Sequence, residues 1–139
     1  MKPLILISMT LMFVTGCASV PEAEQKDTTQ VIDTFIEEQE LSSVERVSSF
    51  KFGGWTVLDS SHLILEKRIN QYLLIKLSNR CSELKFANVL GLDRLNDNAL
   101  HSRYDSVFAM GDIPRKCFIE SIYEISKEQR KTIIESLKS

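Results

Sequence analysis

His62 and His101 are the only histidines of this chain, and Asp59, Asp105 and Asp112 are the carboxylates that could converge with them as acid–base groups. Nucleophilic catalysis needs a nucleophile, a base within hydrogen-bond reach and a third group that orients the base. No Gly-x-Ser-x-Gly elbow accompanies either histidine, one beside an expected strand and one in a polar loop, so both read as surface histidines without a catalytic role. Each aspartate also stands where a turn favours Asp, whose short side chain bonds the backbone two residues on. A transition-metal site would cluster His, Cys and carboxylates at ligand spacing, and neither histidine has such a companion nearby in sequence. The stretch "DRLNDN", Asp93 to Asn98, is rich in oxygen ligands. It lacks the residue order and distal Glu of a calcium loop and reads as a solvated turn. Trp55 and Tyr72 could line a groove for a peptide or glycan, although aromatic residues in strands are more often core. No metal or cofactor is expected.

The other reactive groups are Cys17, Cys81 and Cys117. Cys17 follows a layout of Lys2, an apolar run from Leu4 to Val14, and small residues at Thr15 and Gly16, which is that of an export signal. The run is about eleven residues, against roughly 20 for a bilayer-spanning helix. The stretch "VTGC" resembles the lipobox of bacterial lipoprotein precursors. That resemblance implies alkylation of the Cys17 thiol by a diacylglyceryl group, cleavage just before it, and acylation of the new amino group. Two or more acyl chains hold a protein firmly to a membrane. Ala18, rather than Asp, follows the cysteine, which by the same resemblance favours the periplasmic face of the outer membrane.

Cys81 and Cys117 then remain as an even pair in a small exported domain, where a disulfide is the simplest outcome. A loop of roughly 35 residues closed in this way is stabilised by about 3.5 to 4 kcal/mol on the chain-entropy model. A redox pair and free buried thiols are the alternatives; no C-x-x-C spacing favours the first. The net charge of −2 gives no clustered basic face for nucleic acid.

These groups need elements to position them. Residues 1–16 form the signal, 17–26 a lipidated cysteine and polar tether around Pro21, and 27–139 one domain of ordinary size. Asp27 and Gln30 signal a helix start, and Val31, Ile32, Phe35 and Ile36 share a face, so a helix is expected from about Thr28 to Glu40, packed on its own domain. From Val44 to Leu77 the pattern becomes that of an antiparallel meander, "VERVSSFKF", "GGWTVLD", "HLILEK" and "QYLLIKLS", turning at Gly53-Gly54 and Asp59-Ser60-Ser61. Lys67-Arg68 reads as a solvated tip. Asn79 is a possible N-cap of a short helix, and a polar loop or hairpin surrounds Asn96-Asp97-Asn98. Two further strands, "DSVFAM" and "KCFIESIYEI", precede a capping box at Ser126 and Gln129 that opens a helix through about Leu137. The expected fold is α+β: a small, strongly curved antiparallel sheet or partly closed barrel of about five or six strands with N- and C-terminal helices.

Trp55, Asp59, "YLLIKLSNRC", "SEL" and "YDSVFAMGDIPRKCFIESI" in that order resemble a family of small exported or lipid-anchored proteobacterial proteins whose domain is of unknown function. In that family a Tyr-Leu-Leu strand, here Tyr72-Leu73-Leu74, leads to the first cysteine, and a Cys-x-Ile-x-x-Ile strand, here Cys117, Ile119 and Ile122, carries the second. The resemblance implies the Cys81–Cys117 pairing and an envelope location, and no activity. The function expected is therefore a non-enzymatic envelope lipoprotein that presents its domain to the periplasm and binds another envelope component. The alternatives are a small-ligand carrier for lipid, peptide or glycan around Trp55 and Tyr72, and a hydrolytic enzyme using Asp59, Asp105 or a histidine.

Overall fold

The computed structural model describes residues 16, 23–111 and 114–138. Residues 1–15 of the expected signal, Cys17, Pro21 and Asp112 lie outside the described residues. Helix α1 (Ala23–Glu38) is followed by strands β1 (Ser43–Val44), β2 (Arg46–Ser48), β3 (Gly54–Val57), β4 (His62–Arg68) and β5 (Gln71–Leu77). A 3₁₀ turn (Ser82–Phe86) leads to β6 (Leu90–Asp93), β7 (Ala99–His101), β8 (Ser106–Ala109), β9 (Cys117–Ile125) and helix α2 (Lys127–Lys138). The main sheet is antiparallel, in the order β3-β4-β5-β9-β8-β6, with β1 added to β9 beside β8. It curls into a nearly closed barrel, and β2 and β7 pair as a separate ribbon. The fold is thus α+β with a helix toward each end.

The two faces of β4 and β5 belong to two different cores. Leu63, Leu65, Leu73 and Ile75 point into the barrel with Phe50, Leu84, Leu100, Val107, Ile119 and Ile122. Ile64 and Leu74 alternate with them and face outward, where Ile125 joins them against Ile32 and Phe35 of α1 and Ile133 of α2. A strand buried on both faces has no polar side to show, so "LIL" and "LLI" are continuous apolar runs. The amphipathic stripe of α1 packs on its own domain as expected, although the helix starts at Ala23, inside the segment expected to be a tether, and ends at Glu38.

Several local expectations are corrected. Gly53-Gly54 does not turn the chain: the Gly53 N–H donates to the Glu66 carbonyl (2.8 Å), and the pair runs straight into β3. The meander is confined to β3-β4-β5, because β1 and β2 leave for β9 and β7. The chain reverses between them and β3 around Ser49, whose φ is 55°. Asn79 caps nothing; the 3₁₀ turn begins after Cys81, whose N–H donates to the Ser60 carbonyl (2.6 Å). Asn70 makes the β4–β5 turn with φ 64°, a left-handed conformation that Asn tolerates. At the C-terminal helix the capping box is formed in both directions: the Gln129 N–H donates to Ser126 Oγ (3.1 Å), and the Ser126 N–H donates to Gln129 Oε1 (2.9 Å).

Cys81 and Cys117 are joined as a disulfide, with their Cα atoms 6.3 Å apart. The bond ties the chain after β5 to the first residue of β9, and both cysteines are part of the barrel core.

Candidate functional site

Asp59 sits in the β3–β4 turn, 3% exposed, and gathers more interactions than any turn requires. Its Oδ1 accepts from the Ser61 N–H (2.7 Å), the Asx turn anticipated for this position. The same oxygen accepts from His62 Nδ1 (2.9 Å), and Oδ2 accepts from the Thr29 hydroxyl of α1 (3.0 Å). Burial alone would raise the Asp59 carboxyl pKa. The hydrogen bond and charge of His62, with smaller contributions from the Ser61 N–H and the Thr29 hydroxyl, outweigh it and hold the group below its ordinary value. His62 is 1% exposed rather than a surface residue. Its Nδ1–H is committed to Asp59, and its Nε2 has no partner among the described residues. An Asp–His pair of this kind resembles half of a general-base device. The third member of such a device, a nucleophile hydrogen-bonded to Nε2, is not found among the described residues.

Asp105, also fully buried, does a similar job in the other half of the sheet. Its two oxygens accept from the Leu95 N–H (3.0 Å) and the His101 N–H (2.6 Å), and the Ile119 N–H donates to its main-chain carbonyl (3.0 Å). It thereby pins the 94–105 segment to β9. His101 Nδ1 lies 3.4 Å from Asp105 Oδ2 without forming a hydrogen bond. The two carboxylates have no common partner, so the structure makes two separate Asp–His pairs rather than one cleft. In "DRLNDN" the Asn98 N–H donates to Asn96 Oδ1 (2.8 Å), closing an exposed turn. No group of three or more His, Cys, Asp or Glu at metal-binding range occurs among the described residues.

Trp55 and Tyr72 do not share a groove. Trp55 stands opposite Leu65 and packs toward the barrel, stacked on Phe52 with ring centroids 6.0 Å apart. Tyr72 stands opposite Glu66 and Ile125 and packs with the helix-side core. A one-residue difference in pleat parity puts them on opposite faces of the sheet. Tyr72 borders a pocket of about 280 Å³ with Lys67, Gln71 and Glu124, and Trp55 is not part of it. What links the two neighbourhoods is Arg130 of α2, whose guanidinium donates to Thr56 Oγ1 (3.3 Å) and lies 5.0 Å from the centre of the Tyr72 ring. Sequence reasoning passed over Arg130, because nothing in the order of residues says which strand meets the first turn of the last helix.

A family model spans all of this architecture, matching residues 1–139, and its description is "Family of unknown function (DUF6491)". The chain belongs to that family. No curated protein and no solved structure matches it. Membership agrees with the coarse resemblance drawn from the cysteine-bearing strands, and it brings no activity with it. No helix among the described residues is long and apolar enough to cross a membrane.

Proposed function

We propose that this is a lipid-anchored envelope protein, held to the periplasmic face of the outer membrane through Cys17, whose disulfide-stapled domain binds another envelope component and does not turn over a substrate. The observation that carries the reading is the use made of its acid–base groups. Asp59, His62 and Asp105 are 3%, 1% and 0% exposed, and every carboxylate oxygen is spent on the fold. What the surface offers is shape, sheet edge and apolar area: Ile69, Phe86, Leu95 and Tyr104 are each more than half exposed. The anchor rests on the "VTGC" resemblance and supplies the location. The carrier alternative loses the shared pocket it needed, since Trp55 and Tyr72 face opposite ways.

The test is expression of the full precursor and its Cys17→Ser variant in a bacterium, with intact masses under non-reducing conditions and separation of the two membranes. The expected wild type carries a triacylated cysteine, lies in the outer membrane and lacks the two hydrogens of the Cys81 and Cys117 thiols. An unmodified, soluble wild-type protein would remove the envelope reading.

A further inference from the structure

Strand β3 ends the sheet. The Leu58 N–H donates to the His62 carbonyl (3.0 Å), and this bond sets the phase of the β3–β4 ladder. Hydrogen-bonded pairs alternate in an antiparallel ladder, so Thr56 and Gly54 turn their backbone groups toward β4, and Trp55 and Val57 turn theirs away from the sheet. Among the described residues nothing accepts from or donates to those outward groups. All four residues of β3 are partly exposed. Proteins commonly guard an open edge with charge, proline or a bulge. Gly54-Trp55-Thr56-Val57 has no charge or proline, and its pairing with β4 runs without a register shift. Among the described residues, its guard is its shortness.

The two sides of this edge specify what would fit. Toward the barrel, the stacked rings of Phe52 and Trp55 and the side chain of Val57 make a partly exposed apolar margin. Toward the helices stands Arg130, positioned by Thr56 Oγ1 and the Tyr72 ring, and no carboxylate pairs with it among the described residues. A cation held in place by neutral groups is ready for an anion, and guanidinium suits a carboxylate in particular. Side chains of an added strand alternate between the two sides.

We propose that the free edge of β3 receives an extended segment of another envelope protein as an additional strand, with an acidic side chain on Arg130 and apolar side chains against Phe52 and Trp55. The inference rests on the reading of the protein as an envelope binding module and names the site and the chemistry of its partner. Main-chain bonds to Trp55 and Val57 supply affinity, and the Arg130 carboxylate pair sets register.

The chain's single tryptophan lies on this strand and reports its occupancy. The full chain in non-ionic detergent is titrated with an acetylated nonapeptide of alternating valine and threonine carrying one central glutamate. A second peptide has lysine in place of the glutamate, and a third is N-methylated at alternate amides. Expected are a saturable blue shift of Trp55 emission and slowed hydrogen exchange at the Trp55 and Val57 amides with the first peptide. Binding should be at least tenfold weaker with the second and absent with the third, and Arg130→Glu should reverse the preference between glutamate and lysine. That reversal also shows that the variant is folded. The proposal is overturned if the Trp55 and Val57 amides are already slow in the free protein or if the first two peptides bind alike. It is equally overturned if none binds, if sedimentation shows a dimer that protects these amides, or if anionic vesicles alone shift Trp55. Any of these outcomes leaves lipidation of Cys17 and membrane fractionation untouched. A soluble, unmodified Cys17 removes the envelope partner and leaves peptide binding measurable.

Discussion

Replacing Asp59 by alanine removes one carboxylate and strands three groups. The His62 ring, 1% exposed and already without a partner for Nε2, loses the acceptor of its Nδ1–H, and the Ser61 N–H and the Thr29 hydroxyl lose theirs. Breaking a buried pair by deleting one member costs about 3 to 5 kcal/mol. For a domain near 100 residues this lowers the melting temperature by at least about 12 °C. Asparagine is the sharper probe, because its carbonyl can still accept from Ser61 and His62, so that mainly the charge is lost, at about 1 to 2 kcal/mol. The charge also makes the effect pH-dependent. The folded-state pKa of Asp59 lies below its ordinary value, burial opposing the shift and His62, Ser61 and Thr29 together overcoming it. Its contribution is therefore complete above the unfolded pKa, near about 4, and is lost as pH falls through the folded value. Urea unfolding followed by Trp55 emission, disulfide intact, should show a gap between wild type and Asp59→Asn at about pH 5 that narrows as the pH falls below about 4. A gap that persists unchanged into acid, or an Asp59→Ala cost under about 1 kcal/mol, would refute the argument that this charged node ties α1 to the sheet.

Three other perturbations probe the scaffold. The double change Cys81→Ala and Cys117→Ala removes the staple without leaving a lone thiol, and the unfolding free energy should drop by about 3.5 to 4 kcal/mol in non-reducing urea titrations. Gly91 lies opposite Phe108, whose ring atoms would be 2.3 Å from an added Cβ. Gly91→Ala must therefore displace that ring, at about 1 to 3 kcal/mol in thermal unfolding, and Phe108→Leu in the same chain should recover part of the loss. Ser126→Ala opens the capping box of α2 and should cost about 1 kcal/mol in the same assay, with helicity lost at the start of that helix.

The elements were legible where local chemistry decides them. The Ser126–Gln129 box, the stripe of Ile32 and Phe35, and the strands around Leu63 and Leu73 carry their periodicity or capping in a few adjacent residues. The candidate site was much less legible. His62 reads as a surface histidine because nothing local announces that Thr29, thirty positions earlier, will arrive over Asp59. Gly53-Gly54 reads as a turn because glycine permits one, yet here the ladder to Glu66 claims both residues.

By itself, then, the sequence determined the α+β class, the two flanking helices, the even pair of cysteines and an N-terminal segment whose resemblance points to a lipid anchor. Those follow from periodicity, capping and residue type, which are properties of neighbours along the chain. Tertiary structure alone decided that β4 and β5 serve two cores at once, that Trp55 and Tyr72 part to opposite faces, and that Asp59 and Asp105 close separate internal pairs. It also brought Arg130 to the open side of β3. Such outcomes depend on which strands become neighbours and on the parity of each pleat, and one residue of register reverses the face of every side chain that follows.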